Sequence, residues 1–297
     1  MDWHWVNFRI NHLIWLLLIF SLSCQQQDRD DADQKIGGSE SRGKLFIIGG
    51  GKRGPELYQR MIEVSGIDQE GYGIILPMSS IEPDSSIYYA KIPFQEFGLK
   101  NVAGFNFKAG ESPKQNLLDS LANASLIYIS GGDQRRFMEV VSGTTIEQAI
   151  WSAWENGALI AGTSAGAAVM SQQMITGDQK KHPEYESTFS SLQSDNLILD
   201  EGLGFLKHVI IDQHFIKRSR YNRLLTAVIE MPEKTGIGIE ESTAILVDGD
   251  SAEVVGAAQV IVFENPQQST KIKQGLLGAE NLRISVYLPG GKFYLKN

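Results

Sequence analysis

Read for its apolar and polar positions, the chain changes period several times. Short continuous apolar runs, "KLFIIGG", "YGIILPM", "SLIYISGG", "ALIAGTS" and "GFLKHVIIDQHF", alternate with "PELYQRMIEVSG", "KQNLLDSLANA" and "RRFMEVVSGTTIEQAIWSAWENG", where apolar residues recur at helical spacing. An unbroken apolar run suits a strand covered on both faces, and amphipathic helices supply the cover. From Lys44 onward the pattern therefore predicts an α/β domain, doubly wound around a mostly parallel sheet. After about residue 235 the pattern shifts. "GIGIEESTAILVDGDSAEVVGAAQVIVFE" and "RISVYLPGGKFYL" set strand after strand with Gly and Asp turns and no helix between them. These predict antiparallel hairpins added to the sheet edge or its end.

The first residues follow another rule. An apolar run at 13–20 comes after a short segment carrying Arg9 and two histidines, and it is too short to span a bilayer comfortably. Small residues at Ser21 and Ser23 precede Cys24, so residues 1–23 read as a secretory signal peptide outside the fold. Cys24, placed between this run and the polar "QQQDRDDADQK", is the expected site of lipid attachment, hence of membrane anchoring, in an exported periplasmic or cell-surface protein of a bacterium. Residues 24–43 have the composition of a polar tether, and 44–297 form the folded domain.

Composition then narrows the chemistry. With 42% hydrophobic residues in 297, a substantial core is available. A formal charge of −8 supplies no basic stripe, which argues against a nucleic-acid partner. Because Cys24 is the only cysteine, the domain has no disulfide, no cysteine metal site and no cysteine nucleophile. No metal is expected. The sequence is compatible with a homodimer and does not set the oligomeric state.

Ligands of an open parallel sheet bind beyond the carboxyl ends of its strands, and here those ends read "GGGKRG", "MSS", "SGGDQRR", "GTSAG" and "DQHF". "GGGKRG" contains G-x-G-x-x-G, but the next strand ends in Met78, Ser79 and Ser80, where a dinucleotide site needs an acid for the ribose. No cofactor is expected. "GTSAG" fits G-x-S-x-G with a strand leading in and a helix-compatible run leading out, so Ser164 is a candidate nucleophile, with helix capping as the plain alternative. A serine hydroxyl reacts only when a base takes its proton. Of five histidines, His214, just past the strand "VIID", is the one this reading places beside Ser164.

The base needs an acid in turn. Glu241 is one candidate, placed by strand alternation on the side of Ile237 and Ile239, and Asp178 in "ITGDQ" is the other. Backbone N–H groups of Ala165 and of Gly132 in "SGGD" are natural oxyanion donors. Arg218, Arg220 and Arg223 fall in a helix expected to begin next to His214, where guanidinium forks could take carboxylates.

Together, "SGGDQ", "GTSAGA", "IIDQHFIKRSRYNRLL" and "GIGIEESTA" closely resemble the cyanophycinases of serine peptidase family S51. The resemblance runs from about Lys44 to the mid 240s. It implies a fold similar to class I glutamine amidotransferase and aspartyl dipeptidase domains, and a Ser, His and acid triad. It implies hydrolysis of cyanophycin, a poly-aspartate with arginine on each β-carboxyl, to β-aspartyl-arginine dipeptides. Carried over, Ser164 is the nucleophile, His214 the base and Glu241 the preferred acid, while Gln134, Asp212, Gln213, Arg218, Arg220 and Arg223 line the substrate pocket. Family members often carry an acid after the glycines, where this chain has Lys52 and Arg53. An aspartyl dipeptidase and a non-catalytic peptide-binding surface lipoprotein are the alternative readings.

Overall fold

The computed structural model describes residues 42–184 and 188–295. The predicted signal peptide, Cys24 and nearly all of the tether therefore lie outside the described residues.

The strands are β1 (Lys44–Ile48), β2 (Gly73–Leu76), β3 (Val102–Gly104), β4 (Leu126–Ile129), β5 (Leu159–Thr163), β6 (Gln173–Gln179), β7 (Leu197–Glu201) and β8 (Val209–Gln213). They continue with β9 (Thr235–Ile239), β10 (Thr243–Asp248), β11 (Ser251–Gly256), β12 (Val260–Glu264), β13 (Lys271–Lys273), β14 (Leu276–Gly278), β15 (Arg283–Tyr287) and β16 (Lys292–Tyr294). The helices are α1 (Pro55–Ser65), α2 (Pro83–Glu96), α3 (Gln115–Ala122), α4 (Gln134–Val141), α5 (Thr145–Glu155), α6 (Ala165–Ala168) and α7 (Tyr221–Glu230).

The main sheet has the order β16-β11-β10-β1-β5-β4-β2-β3. Its five strands from β1 to β3 are parallel, and β10, β11 and β16 extend it by antiparallel pairing. Successive strand residues point to opposite faces. Phe46, Ile48, Tyr128 and Ala161 thus pack with α1 and α2, whereas Leu45, Ile47, Ile127 and Ile160 pack with α3, α4 and α5. Helices cover both faces, as the unbroken apolar runs require. Each buried Leu, Ile or Phe contributes about 1.5–3 kcal/mol, so the two layers hold the strand ends in a fixed relation.

Three expectations are corrected. The long helical stretch after "SGGD" breaks into α4 and α5, because Gly143 turns the backbone to φ 69° and the Thr144 hydroxyl then caps Ile146 N–H. The strand "VIID" is not in the main sheet. As β8 it lies in a second sheet of order β15-β12-β9-β8, parallel to β9, and all five of its residues are buried. "GIGIEESTAI" is likewise not one strand, since β9 belongs to the second sheet and β10 to the main one, with residues 240–242 making the crossing.

Two ladders still bring the chemistry together. Ile48 is level with Thr163 across β1 and β5, and Ile129 with Gly162 across β4 and β5. The loops that follow β1, β4 and β5 therefore emerge side by side. The second sheet is joined to the same edge by the His214 N–H, which donates to the Gly49 carbonyl at 2.7 Å.

Candidate active site

Ser164 follows β5 directly and has φ 53° and ψ −109°, a conformation a side-chain-bearing residue rarely adopts. Its neighbours must be small. A Cβ on Gly162 would stand 2.1 Å from the Gly166 carbonyl oxygen, and one on Gly166 would stand 2.3 Å from that of Ile129. The Ser164 N–H donates to the Ile48 carbonyl at 3.0 Å, which ties the turn to β1. Ser164 makes no side-chain cap to α6, so the capping role is not the one it plays. The helical run expected after it is only the single turn of α6.

The Ser164 Oγ lies 2.8 Å from His214 Nε2, and His214 Nδ1 lies 2.7 Å from Glu241 Oε1. An ionised carboxylate only accepts, so Nδ1 carries the proton and Nε2 is left to accept from the serine hydroxyl. His214 is buried, and burial holds its pKa below the ordinary histidine value. The Glu241 hydrogen bond opposes that shift, while the positive charges of Arg218 and Arg220 add to it. A neutral imidazole facing a serine hydroxyl is the state that can take a proton.

Glu241 reaches His214 from the crossing between the sheets, not from a strand face. All five β9 positions are buried, so alternation along that strand carries no inside-outside signal at all. Asp178 is committed elsewhere, to Arg135 at 2.6 Å. Glu240, to which the sequence pattern assigns no role, accepts from the N–H groups of Ile216 and Lys217 and so clamps the turn that follows His214.

The glycine loop clears space for this pair. A Cβ on Gly50, whose φ is 102°, would come within 2.4 Å of the His214 ring, and one on Gly51 within 2.8 Å of the Glu241 carboxylate. "GGGKRG" is thus a backbone surface against which the imidazole and carboxylate pack. The Ser242 hydroxyl donates to the Lys52 carbonyl at 2.6 Å and pins the loop.

Gly131 and Gly132 bring the turn after β4 alongside Ser164, a Cβ built on Gly131 lying 3.5 Å from the Ser164 Cβ. Among the described residues neither the Gly132 nor the Ala165 N–H has a hydrogen-bond acceptor. Both remain available to an oxyanion.

A cavity of about 340 Å³ adjoins Ser164 and is lined by Gln134, Gln213, Arg218, Arg220 and Arg223. Asp133, Arg135 and Asp178 line it too, charged residues that the sequence reading either missed or placed elsewhere. Their only sequence signal was position, at the carboxyl end of β4 and in the first strand past the serine. The Gln134 amide donates to the carbonyls of Ile175 and Thr176, which fixes its orientation.

Asp212 departs from its expected place among the pocket residues. It is wholly buried and absent from the lining, and its carboxylate accepts both Nε and Nη2 of Arg223 and the N–H of Gln213. Arg220, also buried, donates to both oxygens of Gln213. Arg220 and Arg223 are thus held by a buried network, whereas Arg218 is exposed. The predicted helix also starts late. Residues 215–220 form turns, with Ser219 at φ 48°, and α7 begins only at Tyr221.

The family model described as peptidase family S51 matches residues 45–255. The chain is 31% identical over 264 residues to the cyanophycinase of a Nostoc species, covering 84% of this chain and 85% of the relative. It is 31% identical over 271 residues to that of Geminocystis herdmanii, covering 86% of this chain and 94% of the relative. Among solved structures, a peptidase from an acI-B1 actinobacterium superposes with a TM-score of 0.64 at 22% identity, over 86% of this chain and 98% of that one. A putative peptidase E from Listeria monocytogenes superposes with a TM-score of 0.52 at 16% identity, over 73% of this chain and 100% of that one. These two likenesses concern the fold.

Proposed function

The chain belongs to peptidase family S51, and from that premise we propose that it is a serine-type peptidase that hydrolyses cyanophycin to β-aspartyl-arginine dipeptides. The observation that carries the reading is the continuous hydrogen-bonded line from Ser164 through His214 to Glu241. In this mechanism Ser164 Oγ attacks the scissile carbonyl as its proton passes to His214 Nε2. Glu241 stabilises the imidazolium that results. The N–H groups of Gly132 and Ala165 take the developing oxyanion. The imidazolium then protonates the departing amine, and a water activated by the same ring releases the acyl group.

The cyanophycin reading is supported by the names of the relatives and by the cavity beside Ser164. A substrate unit with both a guanidinium and a carboxylate would meet Asp133 and Asp178, which it would share with Arg135, for one and Arg218 for the other. The test is incubation of the purified chain with cyanophycin and mass spectrometry of the products, with β-aspartyl-arginine as the expected species. Cleavage confined to free Asp-X dipeptides would make it an aspartyl dipeptidase. Saturable binding without labelling of Ser164 by a serine-reactive phosphonate would make it a binding protein.

The pH dependence has a definite sign. His214 must be neutral to act as base, so kcat/KM falls as pH drops through its pKa. Because burial lowers that pKa, the acid limb is expected below the ordinary histidine value of about 6.5. A pH profile of kcat/KM with its acid limb above that value would contradict this assignment.

A further inference from the structure

A second cavity, of about 300 Å³, shares Ser164 with the first and no other lining residue. Its walls include Gly50, Arg53, Tyr89, Tyr128 and Ser130, together with His214. The substrate chain on either side of an attacked carbonyl must leave Ser164 in two directions, and these two cavities provide them.

Their electrostatics differ. The first mixes arginines with Asp133 and Asp178, whereas among the described residues no carboxylate lines the second. Among the described residues Arg53 is its only lysine or arginine. Its Nε donates to the Tyr58 hydroxyl at 2.9 Å and its Nη1 to the Gly51 carbonyl at 3.2 Å. No ion pair joins Arg53 to a carboxylate among the described residues, so a half-buried guanidinium is met by neutral oxygens alone. Burying a cation without its counter-charge is costly, and an arriving anion would relieve that cost.

A second group points the same way. Tyr128, 2% exposed and among the residues that line this cavity, holds a buried hydroxyl without a hydrogen-bond partner. The hydroxyls of Tyr58 and Thr163 are its neighbours but stand outside hydrogen-bond geometry. Burial pushes the Tyr128 pKa far above the ordinary tyrosine value, so it remains a donor. A guanidinium fork and a buried hydroxyl are a donor set for a carboxylate, and they offer little to a guanidinium.

We propose that Arg53, with the Tyr128 hydroxyl, receives a free carboxylate of the substrate on the side of the scissile bond opposite the cavity lined by Arg218, and so determines specificity. The proposal rests on the peptidase reading of Ser164. An arginine attached through its α-amine to an aspartate β-carboxyl keeps its own α-carboxylate, and that group is the ligand for Arg53.

The experiment uses a synthetic two-unit fragment of cyanophycin with its arginine carboxylates free or amidated one at a time. Binding is measured by titration calorimetry to the Ser164→Ala chain, with Arg53 native or changed to Gln or Lys. Amidation of one of the two carboxylates is expected to weaken binding tenfold or more when Arg53 is present. The same amidation should cost nothing with Arg53→Gln and an intermediate amount with Arg53→Lys, which keeps the charge without the fork. Phosphonate labelling of Ser164 in chains that change Arg53 alone checks that the serine turn is intact. Amidation costs that do not depend on Arg53, or an amidated fragment that binds more tightly, would overturn the proposal. Binding is read without turnover, so the two readings fail separately. Arg53-dependent binding with no cleavage by the native chain defeats the peptidase, and cleavage without Arg53-dependent discrimination defeats the subsite.

Discussion

Replacing Ser164 by alanine is expected to lower turnover of cyanophycin by on the order of ten-thousand-fold or more while leaving the circular dichroism spectrum unchanged. The hydroxyl is the only group removed, and it is the one that His214 Nε2 meets at 2.8 Å. His214, Glu241 and the two free N–H groups stay in place, so residual rate reflects oxyanion stabilisation and binding alone. A second variant separates chemistry from strain. Ser164→Gly loses the same hydroxyl, yet glycine adopts φ 53° and ψ −109° without steric penalty. It should unfold at higher denaturant than Ser164→Ala, by roughly 1–2 kcal/mol, while being equally inactive. Appreciable turnover in either variant would remove Ser164 from the reaction.

The second large effect is on stability. Asp212→Ala is expected to destabilise the fold by about 3–5 kcal/mol, because it leaves the buried guanidinium of Arg223 without its counter-charge. That is a large share of the roughly 5–15 kcal/mol by which folded domains exceed their unfolded chains. Urea unfolding should show a clearly lower midpoint. Asp212→Asn, which keeps the volume and loses the charge, should shift it in the same direction. A residue that only touched substrate would raise KM and leave the midpoint where it was, so the pair of measurements decides between the two roles.

Most of the site was legible because its logic is local. Ser164 announces itself through the small residues around it, which a sharp turn between strand and helix requires. His214 was found by exclusion, since only one histidine stood at the end of an apolar run. The arginines were visible as a series. What periodicity misjudged was partnership. Asp212 was expected among the substrate ligands because the family resemblance carried it there; alternation alone would keep it on the side of His214, but His214 stands past the strand end at φ 49° and Asp212 is taken into the buried network of Arg223. Strand alternation set Glu241 apart from Glu240 although the two stand on no strand, and each has its own contact: Glu240 clamps the turn at Ile216 and Glu241 orients the imidazole. Arg53 was read only as a departure from a family pattern, and that no carboxylate among the described residues pairs with it is a property of space.

The alternation of strand and helix, the strand ends at which polar residues gather, and the serine turn can all be read from the order of the residues. Each of these follows from the side-chain period or from steric demands within a few residues. The tertiary structure alone decided which carboxylate serves His214. The chain leaves the second sheet at Ile239 and enters the main sheet at Thr243, and that crossing carries Glu241 to Nδ1 while Arg135 engages Asp178. A contact between residues 27 positions apart depends on how two sheets meet, and no local period encodes it.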